Sequence, residues 1–221
     1  MPRQRLVMIS GSGPGAGKST LAARLRVELE AAGVPVRLLP ESATFEGTEL
    51  GDLADRFRRH DHPSADDLLA AFDHLAGRIG TDETWIQDWS WIDLAEDLAW
   101  ARDLDALRDF SRRLHRRAVD LAPYVLYLRT DITTALARAV HQRGERWLAR
   151  TQEALTSRTD LRTAMADLTA VYANREVRLR AALEAGGWPV ADLVVDADAD
   201  QVLEAALAVL RPDLGVASGS L

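Results

Sequence analysis

The sequence contains no cysteine among its 221 residues. This absence excludes a disulfide framework, a thiolate nucleophile and any metal site that is built on cysteine. Five histidines are present, but they do not stand at the paired spacing of a zinc site. The lack of cysteine fits a reducing compartment, and we therefore expect a cytoplasmic protein.

Long apolar runs and an excess of positive charge are also missing. No stretch approaches the length that a membrane-spanning helix needs, and the apolar run behind the basic N-terminus is too short for a signal peptide. The 27 basic and 34 acidic residues give a net charge of −7, opposite to the balance that is typical of nucleic-acid binders. We therefore expect neither a membrane nor a nucleic-acid polymer as a partner.

Apolar strands and helical patterns alternate along the chain. Short runs typical of strands lie at 6–9, 34–39, 84–88, 124–128 and 192–196. Helical patterns cover 19–32, 64–79, 93–120 as one long helix, 131–142, 159–185 and 199–210. This alternation predicts an α/β fold of three layers, in which a five-stranded parallel sheet carries helices on both faces. We expect a single domain over 1–211 and a frayed tail over 212–221.

The most informative segment of the sequence is LVMISGSGPGAGKST, from Leu6 to Thr20. An apolar strand leads into a glycine-rich turn and then into a helix, which is the context of a phosphate-binding P-loop. Glycines let backbone N–H groups approach an anion, and the helix points its positive end at the same place. The predicted phosphate-binding residues are Gly13, Pro14, Gly15, Ala16, Gly17, Lys18, Ser19 and Thr20.

Two residues of this loop have specific predicted roles. Lys18 would reach the β- and γ-phosphates of a nucleotide, and the Ser19 hydroxyl would ligate Mg²⁺. The pattern G-x-x-x-x-G-K-[ST] places a glycine where this chain has Ser12, and Gly11 comes one residue too early. Serine is small and compatible with turns, so we interpret it as a tolerated variant. The loop predicts ATP and Mg²⁺ as cofactors.

Two carboxylates follow predicted strands, and ligands of parallel sheets bind beyond the carboxyl ends of the strands. Glu41 would project beside the γ-phosphate and accept the proton of an attacking hydroxyl, whereas the alternative is an exposed loop glutamate. Asp88 would hold Mg²⁺ or its water shell, whereas the alternative is a helix N-cap.

A group of arginines follows the fourth strand, consisting of Arg138, Arg143, Arg146 and Arg150. Arginines that close over a phosphoryl group stabilise the charge that develops on its oxygens. Gly144 would serve as the hinge of such a lid, which we place at about 141–158. Arg143 or Arg146 is predicted to contact the transferred group, and the alternative is a solvated basic helix face.

Six tryptophans are present, and four of them lie between 85 and 100. Trp89 and Trp91 flank the predicted active site, where their rings would stack on a flat ligand. Packing in the core is the alternative, and the sequence gives both equal weight.

The order of these features resembles the nucleoside and nucleotide kinase group of P-loop proteins. The segment LLPES at 38–42 is similar to the deoxynucleoside kinase segment in which a glutamate is the base for the 5′-hydroxyl. The segments LLAAFDH at 68–74 and DWS at 88–90 resemble thymidylate kinases, and the segment from 135 to 144 resembles the lid of both branches. The resemblance implies a P-loop kinase fold with an arginine-containing lid and a phosphotransferase activity that uses ATP and Mg²⁺.

Two positions depart from the pattern of this group. The group carries arginines where this chain has Trp89 and His74, and in thymidylate kinases these arginines help to hold the acceptor monophosphate. Arg78, four residues after His74, could restore part of the charge. The resemblance therefore implies a kinase for a neutral hydroxyl acceptor such as a nucleoside, with substrate contacts from Glu41, His74, Arg78 and Trp89.

Two alternatives to this function remain at the level of sequence. One is a nucleoside monophosphate kinase with unusual acceptor contacts, and the other is a nucleotide-binding regulatory NTPase that has no small acceptor. The sequence leaves open the identity of the acceptor, the choice of ATP over GTP and the oligomeric state, a homodimer included.

Overall fold

A computed structural model describes residues 5–11, 13–41, 50–59, 63–80, 82–195 and 198–214 of the chain. Within these residues, five strands form one parallel sheet. They are β1 Arg5–Ser10, β2 Val36–Leu39, β3 Thr84–Gln87, β4 Pro123–Arg129 and β5 Val190–Val194. Their order is β2-β3-β1-β4-β5, so the strand that precedes the P-loop lies at the centre. The predicted parallel sheet is confirmed.

The helices connect successive strands. Their bounds are α1 Lys18–Ala31, α2 Gly51–Arg58, α3 Ala65–Ala76, α4 Trp91–Glu96, α5 Leu104–Ala118, α6 Ile132–Arg143, α7 Glu145–Thr156, α8 Leu161–Gly186 and α9 Ala199–Leu214. Helix α9 includes the first residues of the predicted tail, and the rest of that tail lies outside the described residues. No helix in the described part combines the length and the apolar composition that crossing a membrane would require.

The prediction of one long helix over 93–120 is wrong. The chain forms α4, a 3₁₀ turn at Ala99–Arg102, α5 and a second 3₁₀ turn at Val119–Leu121. Ser90 and Asp103 each accept a backbone N–H of the following first turn, which starts α4 and α5 separately. The cap of α4 is therefore Ser90, and Asp88 does not serve as its N-cap.

Apolar side chains pack both faces of the sheet. Successive side chains of a strand point to opposite faces, so Leu6 and Met8 join one cluster while Val7 and Ile9 join the other. The first cluster packs beneath α3, α4, α5 and α8, and the second beneath α1 and α9. This arrangement confirms the three layers that the sequence predicted. A third, smaller cluster lies between α6, α7 and α8, and consists of Leu136, Leu148, Ala164, Leu168 and Tyr172.

Candidate active site

The P-loop joins the carboxyl end of β1 to α1. Gly15 and Gly17 have φ angles of 78° and 94°, a region that residues with a side chain rarely adopt. A Cβ atom on Gly15 would also collide with the backbone carbonyl of Ala135 in α6. Glycine therefore allows the loop to lie directly against α6. Because α1 begins at Lys18, the free N–H groups of its first turn face the loop. Ser12, the departure from the sequence pattern, lies outside the described residues.

An open cavity of about 1090 Å³ extends from this loop. All eight predicted phosphate-binding residues, 13–20, line it. Its other sides are formed by α4, by the middle of α8, and by α7 with the end of α6. Ordinary ligand pockets measure roughly 300–1000 Å³, so this cavity lies at the upper end of their usual size.

The cavity also collects several of the predicted catalytic and substrate residues. Lys18, Ser19, Glu41, Trp89 and Arg143 all line it. The Lys18 ammonium lies over the loop, with Nζ 3.4 Å from the carbonyl oxygen of Gly13. A cation at this point faces the space where the phosphate groups of a nucleotide would lie.

Three of the predicted site residues do not lie at the cavity. His74, Arg78 and Arg146 are exposed, and of these described residues none lines the cavity. The geometry therefore gives no support to substrate contacts from His74 or Arg78, or to a catalytic contact from Arg146. Arg150, one helical turn after Arg146 in α7, does line the cavity, as Arg143 does.

Glu41 and Asp88 meet where β2 and β3 end. The Asp88 carboxylate accepts a hydrogen bond of 2.5 Å from the backbone N–H of Glu41. Asp88 is buried and is not among the described residues that line the cavity, so its observed contact positions the Glu41 backbone. The Glu41 side chain opens to the cavity, where partial burial raises the pKa of its carboxyl group while the charge of Lys18 opposes the shift. A raised pKa brings this group closer to the range in which a general base works best.

Asp93 is a buried carboxylate of the site that the sequence analysis missed. Its Oδ1 accepts a hydrogen bond of 3.0 Å from the Ser10 hydroxyl at the end of β1, and its Oδ2 accepts one of 3.2 Å from the Ser90 N–H. Burial raises the pKa of the Asp93 carboxyl group, and Lys18 and Arg175 oppose this shift. The spacing of Ser90 and Asp93 is that of a capping box, which is the signal that could have found it.

The oxygen groups at this end of the cavity fit a magnesium ion that is bound together with a nucleotide. Mg²⁺ prefers a few protein oxygens and keeps water or phosphate oxygens for its other positions. The Ser19 hydroxyl and the Asp93 carboxylate both line the cavity, and Asp88 lies behind it. Among the described residues, no group of three or more histidine or acidic side chains could hold a metal ion without a nucleotide.

Two arginines of α8, Arg175 and Arg178, line the cavity beside α4. Both were missed by the sequence analysis. Arg175 is bound to Asp97, with an Nη1–Oδ1 distance of 2.5 Å. Arg178 is bound to Glu96, with an Nε–Oε1 distance of 3.1 Å. Burial acts to lower the pKa of Arg175, but the surrounding carboxylates outweigh it and raise the pKa. All four side chains line the cavity.

Trp89 and Trp147 both line the cavity, but the ring that the sequence suggested is the more buried of the two. Trp89 is only 3% exposed, and its ring centroid lies 5.0 Å from that of Trp91, which corresponds to the core-packing alternative. Trp147 of α7 lines the cavity and is half-buried, with the Arg143 guanidinium 5.3 Å from its ring centroid. Leu155, on the same helix, lines the cavity as well and is 43% exposed. Helix α7 thus contributes apolar surface to the cavity beside the guanidinium group of Arg150.

A parallel sheet whose central strand leads into a phosphate-binding loop is the architecture of a P-loop protein of the α/β class, and the predicted fold class is confirmed. No protein-family model matches the chain, and no curated protein sequence matches it.

Several solved structures are similar in fold. One is a gluconokinase from Sinorhizobium meliloti 1021, with 14% identity, a TM-score of 0.48, and coverage of 97% of this chain and 94% of that chain. Another is deoxyadenosine kinase from M. mycoides with bound dATP, with 20% identity, a TM-score of 0.48, and coverage of 93% and 99%. A third is APE1195, with 16% identity, a TM-score of 0.45, and coverage of 81% and 98%.

Proposed function

We propose that this chain is a kinase that transfers the γ-phosphoryl group of ATP to a hydroxyl group of a small molecule, such as a nucleoside. One observation carries the proposal. The phosphate-binding loop with Lys18 and the carboxylate of Glu41 line the same cavity, which lies at the upper end of the usual size of ligand pockets. A phosphate-binding site, a base and an acceptor space are the parts that phosphoryl transfer to an alcohol requires.

The loop would hold the donor nucleotide. Lys18 and the backbone N–H groups of the loop would bind the β- and γ-phosphates. The Ser19 hydroxyl would ligate Mg²⁺, with Asp88 or Asp93 holding its water shell. Bound Mg²⁺ supplies neutralisation of the charge on the β- and γ-phosphates.

Glu41 would act on the acceptor. The hydroxyl oxygen of the acceptor forms a bond to the γ-phosphorus, the bond between that phosphorus and the β–γ bridging oxygen breaks, and ADP is released. The proton of the hydroxyl group passes to the Glu41 carboxylate. Arg143 and Arg150, which line the cavity from the lid, would stabilise the charge on the transferred group.

The lining of the acceptor space supports an uncharged compound with a flat ring and hydroxyl groups. Trp147 and Leu155 of α7 would offer an apolar surface for the ring, while Glu41 and Asp97, which also line the cavity, would accept hydrogen bonds from hydroxyl groups. A nucleoside monophosphate kinase is the alternative, and Arg102, Arg143 and Arg150, which line the same cavity, are the cationic groups that its acceptor phosphate would need.

A screen for ADP release that depends on an added acceptor tests the proposal. We expect one or more hydroxyl compounds to accelerate ADP release, and Lys18→Ala to reduce that rate by ~10²–10³ or more, because it removes charge stabilisation from the phosphates. Activity of Lys18→Ala within a few-fold of wild type would contradict the assignment of the donor site. ADP release that no acceptor changes would favour the regulatory NTPase.

A second readout reports the donor site directly. Lys18 is the only lysine in the sequence. An amine-reactive reagent should therefore modify this residue and the N-terminal amine alone, and peptide mass spectrometry separates the two. We expect ADP with Mg²⁺ to protect Lys18 but not the N-terminus.

A further inference from the structure

Four charged side chains connect α4 to α8 along one side of the cavity. These side chains, which we call the α4–α8 network, are Glu96, Asp97, Arg175 and Arg178. Besides the two short contacts described above, Arg175 Nη2 lies 3.3 Å from Asp97 Oδ2, and Arg175 Nε lies 3.4 Å from Glu96 Oε2. Each arginine is thus matched by at least one carboxylate.

Backbone carbonyl groups occupy further donors of the same two arginines. Arg175 Nη2 donates a hydrogen bond of 2.8 Å to the carbonyl oxygen of Asp93. Arg178 Nη1 donates one of 3.0 Å to the carbonyl oxygen of Arg102, and its Nη2 donates to that of Ala101. The guanidinium groups are therefore held in place by the protein itself.

Exposure differs sharply among the four side chains. Arg175, Arg178 and Glu96 are between 13% and 16% exposed, whereas Asp97 is 50% exposed. A ligand that enters the cavity from solvent therefore meets the carboxylate of Asp97 ahead of the guanidinium groups. The Asp93 and Glu41 carboxylates line the same cavity, as do the cationic side chains of Lys18, Arg102, Arg143 and Arg150.

The pairing of Arg175 and Arg178 affects anion binding on this side of the cavity. Proteins bind phosphate and carboxylate groups with arginine forks, but such a fork must have free donors. A desolvated anion without compensating donors is strongly disfavoured. An anion that approaches Arg175 would have to displace Asp97.

We propose that Asp97 and Glu96 are specificity-determining residues, which keep Arg175 and Arg178 in ion pairs and thereby exclude acceptors that already carry a phosphate or carboxylate group. The inference rests on the proposed function for the identity of the cavity as an acceptor site. It extends that function by assigning the exclusion of anions to two residues. A network that merely ties α4 to α8 would affect stability alone and would not control anion binding.

The proposal is tested by asking whether a variant of Asp97 binds phosphate more tightly than wild type does. Asp97→Asn keeps the shape of the side chain, removes its charge and releases one edge of Arg175. The protein is loaded with ADP and Mg²⁺, so that the P-loop is occupied, and is titrated with inorganic phosphate followed by ³¹P NMR. We expect Asp97→Asn to bind phosphate at least about tenfold more tightly than wild type, a gain of ~1.4 kcal/mol.

Matched variants separate this effect from a general change of charge. Asp192→Asn also removes one negative charge, and Asp192 also pairs with an arginine of α8, since its Oδ1 lies 2.6 Å from Arg180 Nη2. Asp192 is not among the described residues that line the cavity. We expect this variant and Asp97→Glu, which keeps the charge, to bind phosphate as wild type does. Phosphate binding by Asp97→Asn that is no tighter than by Asp192→Asn would overturn the inference.

Two further measurements test the proposal even if Asp97→Asn does not fold or ADP does not protect Lys18. If thermal unfolding shows that Asp97→Asn does not fold, Glu96→Gln carries the same prediction, because Glu96 contacts both arginines. Lys18 protection by ADP reports the donor site separately. If ADP does not protect Lys18, the proposed function fails, while the comparison of Asp97→Asn with Asp192→Asn still decides the role of the network.

Discussion

A hydrogen bond of its backbone positions Glu41, and the groups around its side chain shift the pKa of its carboxyl group. The N–H group of Glu41 is bound to Asp88, at the end of the strand that neighbours β2. The side chain therefore begins at a fixed point of the sheet edge and extends into the cavity. Partial burial raises the pKa of its carboxyl group, Lys18 lowers it, and Asp88 and Asp93 raise it further.

We predict that Glu41→Gln lowers kcat by ~10²–10⁴ and leaves the affinity for ATP nearly unchanged, because the amide keeps the size of the side chain but cannot accept the proton. Only the ionised carboxylate is a base, so wild-type activity should rise with pH through the pKa of Glu41. That pKa lies above the ordinary 4.5 of glutamate. The measurement is kcat against pH with an acceptor from the screen.

The variant should lack the acidic limb of this profile. Glu30→Gln is the matched control, since Glu30 is an exposed glutamate in the last turns of α1, outside the described cavity lining. Equal kcat values for Glu41→Gln and wild type would show that Glu41 is a loop residue and not the general base.

At the scale of the secondary structure elements, the sequence predicts the strands well and the break before α5 poorly. Continuous apolar runs such as 124–128 are typical of strands that are covered on both faces, and β4 forms there. The region of 93–120 has helical composition throughout, and only the capping preference of Asp103 marks the second start. The missed arginines of α8 have no local signal, because their carboxylate partners lie about eighty residues away in the sequence.

The contact between the P-loop and α6 gives a prediction for two glycines. Gly15 and Gly33 have nearly equal φ angles, 78° and 79°. A Cβ atom on Gly15 would collide with Ala135, whereas one on Gly33 would meet no atom of the described chain within 4 Å. Gly33→Ala should therefore cost only the backbone penalty of about 1–2 kcal/mol. Gly15→Ala should cost roughly 1–3 kcal/mol more, because the crowded loop or α6 must move.

Urea unfolding of both variants measures this difference, and protection of Lys18 by ADP shows whether the loop still binds a nucleotide. We expect Gly33→Ala to keep that protection and Gly15→Ala to lose it. Equal unfolding midpoints of the two variants would mean that α6 moves without loss of stability. The close approach of the P-loop to α6 would then not require glycine.

In the whole molecule, α8 joins the parts that form the cavity. Its first half contributes Leu168 and Tyr172 to the small cluster beneath α7, and its second half contributes Leu179 and Leu183 to the main core. The arginines of the α4–α8 network lie between these two halves. Helix α7, which lies in the predicted lid, packs on a cluster that is much smaller than the two sheet cores, and we expect it to open at a lower free energy than the sheet.

Two buried leucines test this difference in a matched pair. Leu114 in α5 and Leu168 in α8 are both 0% exposed, but Leu114 belongs to the main core and Leu168 to the small cluster. Leu114→Ala should lower the free energy of global unfolding by about 2–5 kcal/mol, as is usual for a core leucine. Leu168→Ala should act mainly on the local opening of α7, because its lost contacts lie beneath that helix. Hydrogen exchange followed by mass spectrometry should then show faster exchange in α7 for Leu168→Ala, with β1 and β4 little changed. Leu114→Ala should accelerate exchange in both regions by lowering the global stability. If Leu168→Ala accelerates exchange in α7 and β1 equally, α7 and the sheet unfold as one unit, and α7 has no independent opening that could admit a substrate.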